Sequence, residues 1–213
     1  MNKKVKNGGL LYSIDEKNNT ACLLNNISEI SDVIIPRSIT YDSKEYVITS
    51  IKKSPNKKAK IDSIKFSEDS ELRFIEKDSF CILSIVHLVL PASVIEIKKK
   101  AFSYARNLIT IELPENSQLK KIGDFAFKYS GIKCIKIPSK VVRIEEYTFD
   151  GCHLEIIEFA EHSELEYIGK YAFSGTLITQ IIIPSCVKEI CNGAFYSCSH
   201  LKTIEFQKSF SNL

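Results

Sequence analysis

Residues 183–206 read IPSCVKEICNGAFYSCSHLKTIEF, and this stretch decides the fold because its pattern recurs along the chain. The recurrence is marked by one phenylalanine every 22 to 25 residues: Phe80, Phe102, Phe127, Phe149, Phe173 and Phe195. A period of this length is typical of stacked structural repeats. Short and long repeats alternate, so that two neighbouring repeats form the true unit.

Each repeat contains a six-residue segment with apolar residues at its first, fourth and sixth positions and variable residues between them. Proline usually follows this segment. Eight copies end at Ile35, Phe66, Leu90, Leu113, Ile137, Phe159, Ile183 and Phe206. Such alternation indicates a short β-strand with one buried face. Proline ends the strand because it has no N–H group for the ladder. The pattern predicts about eight short parallel strands, roughly 4.8 Å apart, joined by right-handed connections.

The segments after the strands differ in length between the two kinds of repeat. The long ones contain two extra residues and a serine, in SEL before Arg73, SQL before Lys120 and SEL before Glu166. Since all repeats keep the same apolar positions, the insertion must bulge from an outer edge. We predict irregular, turn or short helical segments on this side, with the recurring phenylalanines stacked as a buried spine.

The two ends of the chain depart from the repeat. Residues 10–24 contain two apolar segments around a polar turn, which predicts a β-hairpin, and residues 39–48 predict a second one. We assign residues 1–29 to an N-terminal hairpin cap and residues 30–213 to the solenoid, as one continuous unit. The last segment, FQKSFSNL, shows no cap, and an uncapped sheet edge favours self-association through this end.

Composition and motifs argue against several classes of function. The net charge of +3, with both signs interspersed, gives no expectation of nucleic-acid binding. No segment is apolar enough to predict a signal peptide or membrane insertion. The seven cysteines lack CxxC spacing, and although His153 follows Cys152 and His200 is near Cys198, no nucleophile repeatedly meets a base. We therefore expect no enzyme activity, no catalytic residue, no cofactor and no metal.

The pattern in Pro184–Phe206, with Val187, Ala194, Phe195, Cys198 and Leu201 at its fixed positions, resembles the BspA-like leucine-rich repeats. These repeats occur in surface proteins of bacteria and parasitic protists. The resemblance covers about residues 30–213. It implies a leucine-rich repeat solenoid that binds a protein ligand and functions in adhesion to host-cell or matrix proteins, at the cell surface or secreted. The missing signal peptide favours the alternative of an intracellular scaffold with a cytoplasmic partner.

In leucine-rich solenoids the variable strand positions face the concave surface, which we call the strand face. The predicted binding residues on it are Lys65, His87, Val89, Thr110, Glu112, Lys136, Ile156, Glu158, Gln180, Ile182, Thr203 and Glu205. One interpretation is that Glu112, Lys136 and Glu158 merely neutralise one another across the sheet. The exposed aliphatic residues favour the other interpretation, a contact surface for a partner.

Overall fold

The computed structural model describes residues 3–25, 32–53, 63–81 and 84–208. Among these residues none lies in a helix. The strands, in chain order, are β1 (Lys3–Asn7), β2 (Leu10–Asp15), β3 (Thr20–Asn25), β4 (Asp32–Ile35), β5 (Ser38–Tyr41), β6 (Lys44–Lys53), β7 (Ser63–Phe66), β8 (Phe74–Ile75), β9 (His87–Val89), β10 (Glu96–Ile97), β11 (Thr110–Glu112), β12 (Lys121–Ile122), β13 (Cys134–Ile137), β14 (Arg143–Ile144), β15 (Ile156–Phe159), β16 (Tyr167–Ile168), β17 (Gln180–Ile183), β18 (Glu189–Ile190) and β19 (Thr203–Phe206).

The eight predicted strands lie side by side in chain order as β4, β7, β9, β11, β13, β15, β17 and β19. They form three hydrogen-bonded ladders, β4–β7, β9–β11–β13–β15 and β17–β19, which we together call the first sheet. Their hydrogen-bonded pairs are parallel, and β7 lies beside β9 as β15 lies beside β17. Ile111 is in register with Leu88, and Ile135 with Ile157, so that buried residues lie above one another. The solenoid prediction is confirmed. The first apolar residues of the first two copies, Ile30 and Ile61, lie outside the described residues.

A second sheet, which the sequence did not predict, runs along the opposite side. It pairs the two-residue strands β8, β10, β12, β14, β16 and β18 in parallel, one for each of the six repeats that contain a spine phenylalanine. Each strand contributes one isoleucine to the core, and Ile75, Ile97, Ile122, Ile144 and Ile168 are fully buried. Instead of the turn or short helical segments that were expected there, this side has turns joined to a sheet.

The phenylalanine spine lies in the turns that follow the second sheet. The rings of Phe80, Phe102, Phe127, Phe149 and Phe173 are at most 1% exposed, and Phe195 is half-buried at the end of the row. Successive ring centroids lie 5.1 to 5.6 Å apart, with planes inclined by at most 16°. The predicted spine is therefore confirmed as a continuous parallel stack, with each buried ring contributing about 1.5 to 3 kcal/mol.

The serine of each long repeat closes the extra loop. Its Oγ accepts a hydrogen bond from the backbone N–H of the leucine two residues later, at 3.3 Å for Ser70, 3.2 Å for Ser117 and 3.3 Å for Ser163. Those leucines are buried in the core. Because a side-chain oxygen replaces a backbone acceptor, the two inserted residues bulge outward without disturbing the stack.

In most repeats, residues with positive φ lie two positions before and two positions after the spine phenylalanine. Two residues before the phenylalanine, Phe125, Tyr147 and Tyr171 have φ values of 57°, 54° and 55°. Bulky residues rarely adopt this conformation, which costs about 1 to 2 kcal/mol. Their rings stack with centroids 5.0 Å apart, so that ring packing offsets the backbone cost.

The N-terminal strands form the two predicted hairpins, and both belong to the second sheet. Strands β2 and β3 pair antiparallel, β3 pairs in parallel with β6, and β5 pairs antiparallel with β6. The second hairpin turns at Asp42 and Ser43, which have positive φ. The cap role of residues 1–29 and the division from residues 30–213 stay predictions, since this boundary lies outside the described residues.

Candidate interaction surface

The strand face is the outer surface of the first sheet. Alternation along each strand sends one set of side chains into the core and the other outward, as in the buried Ile135 between the exposed Cys134 and Lys136. Of the twelve predicted residues, eleven are exposed and Thr110 is half-buried. Their location is therefore as predicted, while their role in binding stays a prediction.

Strand register arranges these side chains in two columns. In one column Glu112 is opposite Val89, and Lys136 is opposite Glu158. The other column contains His87, Thr110, Cys134 and Ile156, each in register with the next. At the far end Gln180 and Ile182 are opposite Thr203 and Glu205, and at the near end Ile34 is opposite Lys65. The structure thus brings residues from eight separate repeats onto one continuous surface.

Four aliphatic side chains on this surface are open to solvent. Ile34 is 68% exposed, Val89 44%, Ile156 55% and Ile182 54%. They lie on four different strands, and polar and charged side chains lie between them. The strand face therefore mixes apolar and polar side chains along its length. Ile34 and Cys134 occupy the same columns but were not among the predicted residues.

The ion pairs of the strand face differ from the predicted mutual neutralisation of Glu112, Lys136 and Glu158. Lys136 Nζ donates to Glu115 Oε1 at 3.0 Å, and Glu115 lies in the loop after β11. This hydrogen bond holds the pKa of Glu115 below and that of Lys136 above the usual values. The lysine side chain is long enough to reach past the strand, where the carboxylate is closer than those of the neighbouring strands.

Glu112 lies near His87 instead. The distance from His87 Nε2 to Glu112 Oε1 is 3.6 Å, and His87 Nδ1 lies 2.6 Å from the hydroxyl of Thr110. Both nitrogens of the imidazole therefore lie near side chains of the adjacent strand β11. Sequence reasoning missed Glu115, although an acidic residue directly after the strand-ending proline is a readable signal.

Shallow depressions cover the strand face. One of about 740 Å³ lies over β9, β11, β13 and β15, and it is lined by Val89, Glu112, Lys136, Ile156 and Glu158. Another of about 460 Å³ lies over β15 and β17, with Ile156 and Ile182 in its wall. A third of about 590 Å³ lies between Lys65 and Val89. Open depressions of this kind accommodate side chains of a partner more readily than a free small molecule.

The cysteines differ in their burial and in their hydrogen bonds. All seven cysteines lie within the described residues and form no disulfide there, and burial raises the pKa of Cys152 to about 12. Cys198 Sγ donates to the carbonyl of Phe173 at 2.9 Å. Over the described ranges, no group of three or more His, Cys, Asp or Glu side chains could hold a metal ion.

No helix long and apolar enough to cross a membrane occurs among residues 3–25, 32–53, 63–81 and 84–208.

Comparison with known proteins identifies the repeat. The family model for the BspA type leucine-rich repeat region matches in six copies, over residues 37–141 and 120–213. No curated protein matches the sequence.

Two solved structures share the fold. That of the pneumococcal vaccine antigen PcpA is similar with a TM-score of 0.68 and 20% identity, over 98% of this chain and 51% of that one. A leucine-rich repeat protein from Bacteroides ovatus is similar with a TM-score of 0.53 and 22% identity, over 92% of this chain and 69% of that one. The chain thus spans about half the length of PcpA, and at these identities the likeness concerns the fold.

Proposed function

Because the chain belongs to the BspA-type leucine-rich repeat family, we propose that it is a protein-binding module that holds its partner on the strand face. The observation that carries the proposal is the exposure of Val89, Ile156 and Ile182 on a regular sheet surface. Burying such side chains in an interface contributes about 25 cal/mol per Å² of apolar area. A partner that covers them gains this free energy, and the polar residues between them fix its orientation.

The proposed partner is a host-cell or matrix protein, bound outside the cell, either at the surface or after secretion. Adhesion is supported by the family resemblance. The alternative is an intracellular scaffold that presents the same face to a cytoplasmic protein, and the lack of a disulfide among the cysteines of the described residues favours it. Antibody staining of intact and permeabilised cells separates the two, because a surface protein is stained without permeabilisation.

The test of the strand face is a crosslinking pull-down with substituted chains. Ile156→Ser and Ile182→Ser together remove the two most exposed aliphatic side chains of the predicted binding set without touching the core. Val86→Ser is the matched control, since Val86 is 57% exposed but lies outside the two columns of the strand face. Capture of a partner should be lost with the double variant and kept with the control. Equal capture by all three chains would contradict the proposal.

We also propose self-association through β19. Ile204 and Phe206 are 44% and 65% exposed, whereas the equivalent Ile181 and Ile183 of β17 are buried. Within the described residues no strand pairs with the outer edge of β19, and such an edge can hydrogen-bond to a second chain. Light scattering of the wild type and of Phe206→Ser over a range of concentrations tests this. A wild type that stays monomeric at every concentration would contradict it.

A further inference from the structure

The centre of the strand face is acidic, although the chain as a whole has a net charge of +3. Glu112 and Glu158 lie on the strands to either side of Lys136. Glu115 and Glu161 lie in the long loops that flank it. These five residues comprise four carboxylates and one ammonium group, a net charge of −3.

The single ammonium group of this cluster is already occupied. Lys136 Nζ is bound to Glu115 at 3.0 Å, and Glu158 and Glu161 act on it only through space. In the part of the chain that the structure describes, no lysine or arginine forms an ion pair with Glu112, Glu158 or Glu161. Three exposed carboxylates on one side of the sheet therefore lack a strong counter-charge.

Aliphatic walls lie next to these carboxylates. The depression of about 740 Å³ has Val89 and Ile156 in its wall, together with Glu112 and Glu158. A smaller one of about 220 Å³ adjoins it at Lys136 and is lined by Glu115, Pro138 and Glu161. We call these two depressions together the acidic depression. It combines apolar surface with a rim of negative charge.

We propose that the acidic depression binds a segment of a partner protein that carries lysine or arginine side chains next to aliphatic ones. The inference rests on the proposed function and specifies the chemistry of its partner. The long methylene stem of a basic side chain packs on Val89 and Ile156, while its charged end reaches Glu112 or Glu158. An acidic segment would meet three carboxylates and a lysine that is already neutralised, so charge complementarity selects the basic one.

The test uses two synthetic peptides of equal length, with leucine at the same positions and either lysine or glutamate at the others. Binding to the full chain is followed by fluorescence anisotropy at low and high salt. The lysine peptide should bind more tightly than the glutamate peptide, and high salt should weaken its binding because the interacting charges are exposed.

Substitutions of opposite sign sharpen the test. Glu112→Gln with Glu158→Gln should weaken binding of the lysine peptide by about fivefold, whereas Lys136→Gln should strengthen it. Glu146→Gln with Glu189→Gln is the control, because it changes net charge equally at exposed positions outside the strand face and should have no effect.

The inference would be overturned if the glutamate peptide bound more tightly than the lysine peptide, or if neither peptide bound. It would also be overturned if Lys136→Gln weakened binding of the lysine peptide, or if the control weakened it as much as Glu112→Gln with Glu158→Gln. The proposed function is judged separately, by the pull-down with the Ile156→Ser and Ile182→Ser chain. A partner captured on the strand face through an acidic segment would uphold that function and overturn the basic partner.

Discussion

The ring of Tyr129 lies directly over Gly151, where a Cβ atom would be only 2.4 Å from Tyr129 Cε1. Gly151 has a φ of 64°, and Tyr129, from the preceding repeat, has a φ of 54°. The glycine therefore serves two purposes, since it permits the left-handed backbone and leaves room for the neighbouring ring.

Gly151→Ala should destabilise the protein by about 2 to 4 kcal/mol, because the new methyl group adds a clash with Tyr129 to the backbone strain. Gly175→Ala is the matched control. Gly175 has a nearly equal φ of 63°, but a Cβ atom there would meet nothing closer than 3.7 Å, so that only about 1 kcal/mol is expected. Urea unfolding of both variants measures the difference. Equal losses would show that the ring contact plays no part, and Tyr129→Ala should reduce the cost of Gly151→Ala.

Phe127→Ala should cost about 3 to 5 kcal/mol of unfolding free energy, because the fully buried ring stacks on Phe102 and on Phe149. Phe195→Ala should cost less than half as much, since Phe195 is half-buried and stacks only on Phe173 among the spine residues. Chemical denaturation of the two variants gives the comparison. If Phe127→Ala cost no more unfolding free energy than Phe195→Ala, stacking along the spine would not contribute to stability as proposed.

Ser117→Ala should destabilise the protein by about 1 kcal/mol, because the buried N–H of Leu119 loses its acceptor. Ser139→Ala changes the serine of a short loop, where Oγ accepts no such bond from any residue that the structure describes, and should stay within about 0.5 kcal/mol of the wild type. Thermal unfolding of both proteins measures the effect. If Ser117→Ala and Ser139→Ala lowered the unfolding free energy equally, the hydrogen bond of Ser117 would not be what stabilises the long loop.

The parts of the fold that could be predicted are those whose buried residues recur at a regular spacing in the sequence. The strands and the spine repeat side chains such as Ile135 and Phe127, whose burial is visible in the sequence as a regular spacing. The second sheet could not be predicted because a two-residue strand such as Lys121–Ile122 shows one buried residue and no alternation. The positive φ of Tyr147 is also hidden, because such backbone is expected at glycine and not at a bulky residue.

The candidate surface was predictable as a location but not as a set of interactions. Alternation sends Glu112, Lys136 and Glu158 outward, and the structure has them there. Strand spacing alone suggested that these three pair with one another, whereas the flexible lysine reaches Glu115 in the loop. Contacts of long side chains depend on rotamers and loop geometry, which no repeat pattern encodes.

Cys134 should react first with a thiol reagent such as DTNB, because it is the cysteine whose side chain is exposed. Cys152 should react only after unfolding, since burial raises its pKa to about 12 and keeps the thiol protonated at pH 8. Stopped-flow absorbance resolves the phases, and Cys134→Ser should remove the fastest one. A fast phase that survives this substitution would contradict the assignment.

Lys136 should be the group that lowers the pKa of Glu115, and Lys136→Met should return that pKa to its usual value. Because the pKa of Glu115 is lower in the folded protein, the ion pair contributes to stability at pH values above the unfolded pKa. This contribution is lost as the pH falls through the lowered pKa of the folded protein. Carbon-13 NMR titration of the Glu115 carboxyl group measures the change. Lys140→Met is the control, since Lys140 Nζ donates to Gln118 and not to a carboxylate. A Glu115 pKa that is equally low without Lys136 would mean that another group holds the carboxylate, and the charge count of the acidic depression would change with it.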